Sequence, residues 1–343
     1  MAALAGYEHI AERFWNVASK GEEEAKREIL FMDDIVQKAH IDREIDSLLD
    51  GVGTVLDAGA GAGRFSIPLA VRGLAVTHLD LSQPMLAKAR EHARQAGVEH
   101  AISFVHGRLG DLVQYPDGAF DLVLSVDAPV SYTYPAQADV LAQLVRLARK
   151  AVLVSVVSRP GSLPLVLHPA QKEAFLVDPD CADPIMRWYP RLTPELAETW
   201  LPDFAAFDRL WQTGLGEEPA RVQAAFDRGE SPWPVTYAFW PHELRAILED
   251  AGLEDVRLAG PGALARTLPQ PILRRLLFTP ALRAPFLERC YAFDRTESVV
   301  GMGKDTLVAS GRKRGQSLPE GSAPARGEDR AGWHGRQACG RRR

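Results

Sequence analysis

The sequence predicts an α/β fold: a doubly wound, mostly parallel seven-stranded sheet carrying an α-helical lid insertion. Three observations lead there. Between residues 54 and 157, short apolar runs alternate with helix-patterned segments, the β-α-β-α order that builds a parallel sheet. The first run, TVLDAG at 54–59, stops at a glycine-rich turn, and open α/β sheets bind ligands at the carboxyl ends of their strands. The fifth run, AVLVSVV at 151–157, is apolar enough to be buried on both faces.

Each element follows from local pattern. Residues 1–50 read as an N-terminal helical cap, with Ile35, Val36, Ile41, Ile45, Leu48 and Leu49 at helical spacing among charged residues. Residues 51–157 read as the ligand-binding core. After the first strand, 63–73 is a helix stopped by Gly73, and 74–82 is the second strand. Residues 84–97 form a helix with Pro84 near its first turn and Gly97 past its end. Strands follow at 101–107 and 119–128, then a helix at 136–150 and the fifth strand.

Residues 158–240 break the alternation. They hold twelve of the chain's 27 aromatic residues and five of its seven tryptophans. Aromatic side chains bury large apolar areas, so this aromatic-rich lid insertion could pack only as a second small core or could serve a substrate. Residues 241–313 return to the core with a helix at 241–252, a sixth strand at 253–260, a helical insertion at 268–297 and a seventh strand at 304–313. Residues 314–343 are expected to be a disordered basic tail.

Composition narrows the function. The net charge of −5 divides into +6 on residues 311–343 and −11 on the rest. So acidic a body is a poor partner for phosphate backbones, and no nucleic-acid partner is expected. No run of eighteen uncharged apolar residues occurs, so no membrane span is expected. The start lacks a basic segment followed by an apolar run, so no secretory signal is expected. Cys181, Cys290 and Cys339 are far apart and form no CxxC pair, which argues against a disulfide framework or a metal site and for a cytoplasmic location.

The chemistry lies in VLDAGAGAGRF at 55–65. Asp57 ends the first strand, and Gly59, Gly61 and Gly63 follow at alternate positions. A dinucleotide fingerprint needs a glycine where Arg64 or Ser66 stands, and a phosphate-binding loop needs a GK[ST] that is absent. An acid before the first glycine suits a cationic ammonium, not a pyrophosphate. Asp80 ends the second strand in THLDLS, 23 residues after Asp57, where a carboxylate can accept hydrogen bonds from ribose hydroxyls. Together they ask for a ligand with a ribose and an amino-acid-like cation.

DAGAGAG followed by LDLS resembles the class I S-adenosylmethionine (SAM)-dependent methyltransferases, closest to the small-molecule group around the ubiquinone/menaquinone methyltransferases. The resemblance covers residues 50–160, and again 240–313, where HELRAILEDAGLEDV is similar to the family's penultimate helix and strand. It implies a Rossmann-like sheet in the order 3-2-1-4-5-7-6 with the last strand antiparallel. It also implies SAM as cofactor, S-adenosylhomocysteine as product, and methyl transfer to an O, N or C atom of a small-molecule acceptor. By position, Asp57, Ala58, Gly59, Gly61 and Gly63 would hold the methionine end and Asp80 the ribose. Leu81 and Met85 would flank the adenine. Ser125, Val126 and Asp127 would face the methionine part and the acceptor.

Many relatives carry Gly-Asp after the third strand, where this chain has Gly107-Arg108 followed by Leu109. Either Arg108 replaces the adenine contact through its backbone or its plane, or the loop is shifted. YEHIAERFW is similar to the family's N-terminal aromatic helix, which makes Tyr7, Phe14 and Trp15 candidates to cover the cofactor. Trp15, Asp127, Tyr132 and Tyr134 are the substrate-binding candidates, though the two tyrosines could equally pack the lid. Asp127-Ala128-Pro129 reads as an amine-recognition element or as pocket wall. Arg64 is either solvated or paired with an acid. Asp127, His106 and His168 are the catalytic candidates. The alternatives are a methyltransferase of RNA or protein that grips with the lid and tail, or a non-catalytic SAM-binding protein.

Overall fold

The computed structural model describes residues 6–17, 20, 21, 24, 32–167 and 201–314. His168, much of the expected lid and the tail from residue 315 lie outside the described residues.

The strands are β1 Thr54–Ala58, β2 Ala75–Asp80, β3 Ile102–His106, β4 Phe120–Ser125, β5 Ala148–Ser158, β6 Ala238–Phe239, β7 Leu253–Ala259 and β8 Thr306–Lys313. They form one sheet in the order β3-β2-β1-β4-β5-β8-β7, and β6 pairs with β5 off this path. β1 to β5 run parallel, whereas β8 is antiparallel to β5 and to β7. With β6 set aside, this is the 3-2-1-4-5-7-6 order that the resemblance implies. β6 was not foreseen. β5 extends past its last pairing with β4 at Val154, and β6 pairs with Val157 and Ser158 beyond it.

The helices are α1 Glu8–Trp15, α2 Met32–Asp46, α3 Ser66–Val71, α4 Gln83–Gln95, α5 Gln137–Leu147, α6 Arg159–Leu167, α7 Phe204–Thr213, α8 Pro219–Asp227, α9 Pro241–Asp250, α10 Gln270–Phe278 and α11 Pro280–Asp294. Two boundaries differ from expectation for physical reasons. The helix expected at 63–73 begins at Ser66, since Gly63 has φ +90°, outside helical space. The helix expected at 136–150 ends at Leu147, because Ala148 already pairs with Phe120. α4 starts where expected, capped by the Ser82 hydroxyl accepting the Met85 N–H at 3.3 Å.

Strand alternation sends successive side chains to opposite faces and makes two apolar layers. Leu56, Val123 and Val152 pack with Leu141 and Leu144 of α5 and Leu244 and Leu248 of α9. Val55, Leu122 and Leu153 pack on the other face with Ile41 and Ile45 of α2, Leu69 of α3 and Ala93 of α4. α2 also packs on the α10–α11 hairpin, and Ile10 of α1 packs on Val222 of α8 and on Val235. Among the described residues no helix is long and apolar enough to cross a membrane, and no group of three or more His, Cys, Asp or Glu is placed to hold a metal.

Candidate functional site

The turn after β1 is pinned to β2, with the Gly59 and Ala60 N–H groups donating to the Leu79 carbonyl at 2.8 and 3.0 Å. Its three glycines serve different ends. A Cβ at Gly59 would meet the Pro129 ring at 2.4 Å, and one at Gly63 would meet the Ile67 side chain at 2.7 Å. Gly61 has φ +54° and nothing within 4 Å of a Cβ position, so its backbone faces open space.

That space is a cavity of about 280 Å³ over the carboxyl ends of the parallel strands. Past β2 and β3 it is lined by Leu79, Asp80, Leu81, Met85, Gly107 and Leu109, with Ala11 and Trp15 of α1. At its centre are Asp57 and the glycine turn. Past β4, β5 and β8 it is lined by Val126, Asp127, Tyr132, Thr133 and Val157, with Trp233 from the lid segment.

Asp57 is 2% exposed. It accepts the Ser66 hydroxyl at 2.5 Å, and the same Ser66 oxygen lies 2.8 Å from His78 Nδ1. Burial pushes Asp57 up to about 7, against the Ser66 hydrogen bond, and the charges of Asp127 and Asp80 add to the rise. Burial pushes His78 down to about 4. The ring is therefore neutral near pH 7, with Nδ1–H donating to the Ser66 oxygen while the hydroxyl donates to Asp57. Asp80 uses both oxygens, one accepting the Gly61 N–H and the other the Ser82 N–H, each at 2.8 Å. Burial nevertheless pushes Asp80 up to about 6. Among the described residues no lysine or arginine pairs with either acid.

The end past β4 is different. Arg64 Nη1 donates to both oxygens of Asp127 at 3.1 and 3.3 Å, and Nη2 donates to the Asp34 carbonyl at 3.2 Å. Arg64 is thus paired with an acid. Asp127 and Ala128 take φ +67° and +66° in succession, a left-handed pair that side chains disfavour, held here by the Asp127 N–H donating to Ser155 Oγ at 2.8 Å. Trp15, Tyr132 and Trp233 form an aromatic wall, with ring centroids 5.8–6.4 Å apart. Lys304, which also lines the cavity, is buried and ion-paired with Asp33.

The cavity brings together Asp57, Gly59, Gly61, Asp80, Leu81, Met85, Leu109, Val126, Asp127, Tyr132 and Trp15. Other expected residues do not line it. Ala58 and Ser125 lie beneath, where the Ser125 hydroxyl donates to the Ala58 carbonyl at 2.9 Å and ties β4 to β1. Gly63 supports the turn from behind. Arg108 turns outward to an ion pair with Glu12 of α1. His106 is exposed, and its Nε2 lies 3.0 Å from the Leu81 carbonyl. Tyr134 stacks with Tyr7 and Tyr237, both at 6.2 Å. Trp233, Asp34, Lys304 and Asp305 line the cavity without having been expected. One signal for the last two was present: an antiparallel final strand brings its amino end to the edge where parallel strands end.

Residues 55–151 match the family described as Methyltransferase domain. The magnesium protoporphyrin IX methyltransferase of Arabidopsis thaliana chloroplasts is 37% identical over 111 residues, 32% of this chain and 34% of that protein. The tRNA 5-carboxymethoxyuridine methyltransferase of Escherichia coli K12 is 30% identical over 119 residues, 34% of this chain and 43% of that protein. The ubiquinone biosynthesis O-methyltransferase of Ruegeria sp. TM1040 is 29% identical over 167 residues, 47% of this chain and 59% of that protein. The chain thus spans less than two thirds of the length of these relatives. Residues 55–151, which hold the glycine turn and Asp80, are thus similar to a methyltransferase domain.

Proposed function

We propose that the protein is a cytoplasmic methyltransferase that uses SAM to methylate an O, N or C atom of a small-molecule acceptor. One observation carries this reading. Two buried acids, Asp57 and Asp80, flank the open backbone of Gly61 and have no cationic partner among the described residues. Such a pair fits a ligand with an ammonium at one end and a ribose at the other, and it repels a pyrophosphate.

Bound there, SAM supplies a sulfonium methyl already activated for displacement. The residues supply the rest. Asp57 and the glycine turn hold the methionine end, and Asp80 accepts the ribose hydroxyls. Leu81, Met85 and Leu109 enclose the adenine. Trp15 on the 1–50 cap and Trp233 on the 158–240 insertion cover the site and exclude water. Tyr132, Thr133 and Trp233 align the acceptor against the methyl, and alignment is the main demand of an in-line displacement. Arg64 donates to both oxygens of Asp127, which suits this side chain to orienting an acceptor more than to removing its proton. An acceptor amine that binds neutral needs no base.

The test is incubation with methyl-labelled SAM and a small-molecule cell extract. Label passing to a small molecule with release of S-adenosylhomocysteine, and lost in Asp80→Ala, supports the reading. Label recovered in RNA or protein, or cofactor binding without turnover on any extract, overturns it.

A further inference from the structure

The helical insertion between β7 and β8 takes no part in the site above. α10 and α11 fold back on each other and bury Leu273, Leu277, Phe286 and Cys290 against Met32 and Val36 of α2. Their outer side carries apolar residues that stay exposed among the described residues: Ile272 is 48% exposed, Phe278 51%, Leu282 36% and Phe293 38%. Phe278 ends α10 and Leu282 lies in the first turn of α11, so two of the four stand at the hairpin turn.

Around the hairpin turn the charge has one sign, the nearest acid on α11 being Glu288 beyond it. Residues 256–287 hold five arginines and no lysine, aspartate or glutamate, in a body whose net charge is −11. Arg274, Arg275 and Arg283 bracket the turn, with the Arg274 guanidinium 5.8 Å from the centre of the Phe278 ring. A second copy of the chain docking here would set arginine against arginine. The other exposed apolar group, Leu201, Phe204 and Trp211, has Asp203 and Asp208 within it and lacks such a rim. Protruding apolar side chains ringed by cations match a surface that is apolar below and uniformly anionic above.

We propose that the α10–α11 hairpin seats the protein on an anionic lipid bilayer. Phe278 and Leu282 enter the head-group boundary, and Arg274, Arg275 and Arg283 meet lipid phosphates. So few apolar side chains give weak binding alone, so the arginines are needed as a second contribution. The inner face of the hairpin packs on α2, and Asp34 of α2 lines the cavity. Seating therefore sets one wall of the cavity a single helix layer above the lipid. This inference does not depend on methyl transfer.

The test is co-sedimentation of the full chain with vesicles of phosphatidylcholine alone or mixed with phosphatidylglycerol. Binding is expected to the mixed vesicles only, and to weaken as salt rises. Replacing all three arginines (R274Q/R275Q/R283Q) should lower partition on the order of 100-fold. F278D/L282D should lower it at least ~10-fold. Both variants should keep the wild-type circular dichroism and melting temperature. The basic tail is present in every sample, so undiminished binding by both variants would assign the contact to the tail and overturn the proposal. Absence of wild-type binding would overturn it too, as would dimerisation without vesicles that F278D/L282D abolishes.

Discussion

Asp57 and Asp121 sit on neighbouring strands at opposite ends of the sheet, and their surroundings differ in kind. Asp121 opens β4 at the amino end. It accepts the Gly53 and Thr54 N–H groups at 2.9 and 3.1 Å and the Arg149 guanidinium at 2.5 and 2.9 Å. Burial alone would raise its pKa, but these partners hold it at about 2. Asp57 ends β1 at the carboxyl end with Ser66 as its one side-chain donor, and it rises to about 7. An acid whose partners are all present knits the fold. An acid buried without a cation costs stability, and a ligand that brings the cation offsets the cost.

Four measurements would break or sharpen that contrast. Among the substitutions, the largest effect is expected from Asp80→Ala. It removes a charged acceptor, and S-adenosylhomocysteine affinity should fall by about 1.5–3 kcal/mol, measured by calorimetry, with little change in melting temperature. Asp121→Ala should do the reverse. Urea unfolding should show a loss of about 2 kcal/mol with cofactor affinity intact. Because the folded pKa of Asp121 is depressed, its contribution is present at neutral pH and disappears as pH falls through about 2. The variant and the wild type should therefore converge in strong acid.

The third prediction is pH dependence of cofactor binding. Asp57 and Asp80 have raised values, about 7 and about 6. Each must be ionised to hold the cation or the ribose, so affinity should fall as pH drops from 8 to 5. The fall should approach about 1.4 kcal/mol per pH unit for each proton taken up. The smallest effect is expected from Asp57→Asn. A raised folded pKa means that the cost of burial is absent below about pH 4 and complete above about 7. The variant should thus gain about 0.5–1 kcal/mol at pH 8 and nothing at pH 4, read as a melting-temperature rise of about 1 °C in ligand-free protein.

How much of this was legible in the sequence depends on distance along the chain. The β-α alternation was legible from strand periodicity and the strand order through the family resemblance, and the DAGAGAG turn, a local signal, pointed to the residues on the β1–β2 half of the cavity. The half past β4, β5 and β8 was largely not. Lys304 and Asp305 reach the cavity only because β8 runs antiparallel, and Asp34 because α2 crosses the site. Trp233 was visible as an aromatic residue but not as part of a wall with Trp15 and Tyr132, which lie far away in sequence. His106 and Arg108 follow a strand end in the right place but turn outward, Arg108 captured by Glu12 on α1. Such a side-chain direction is set by a tertiary partner, which periodicity does not encode.

The central claim is that the carboxyl-end acids form a SAM site while the amino-end acid serves only the fold. Calorimetric titration of S-adenosylhomocysteine at pH 8 into wild type, Asp80→Ala and Asp121→Ala tests it most directly. The account predicts Kd values on the order of micromolar for wild type and Asp121→Ala, and binding weaker by at least ~10-fold for Asp80→Ala. No binding by the wild type, or equal binding by wild type and Asp80→Ala, would contradict it and leave the glycine turn as a structural feature alone.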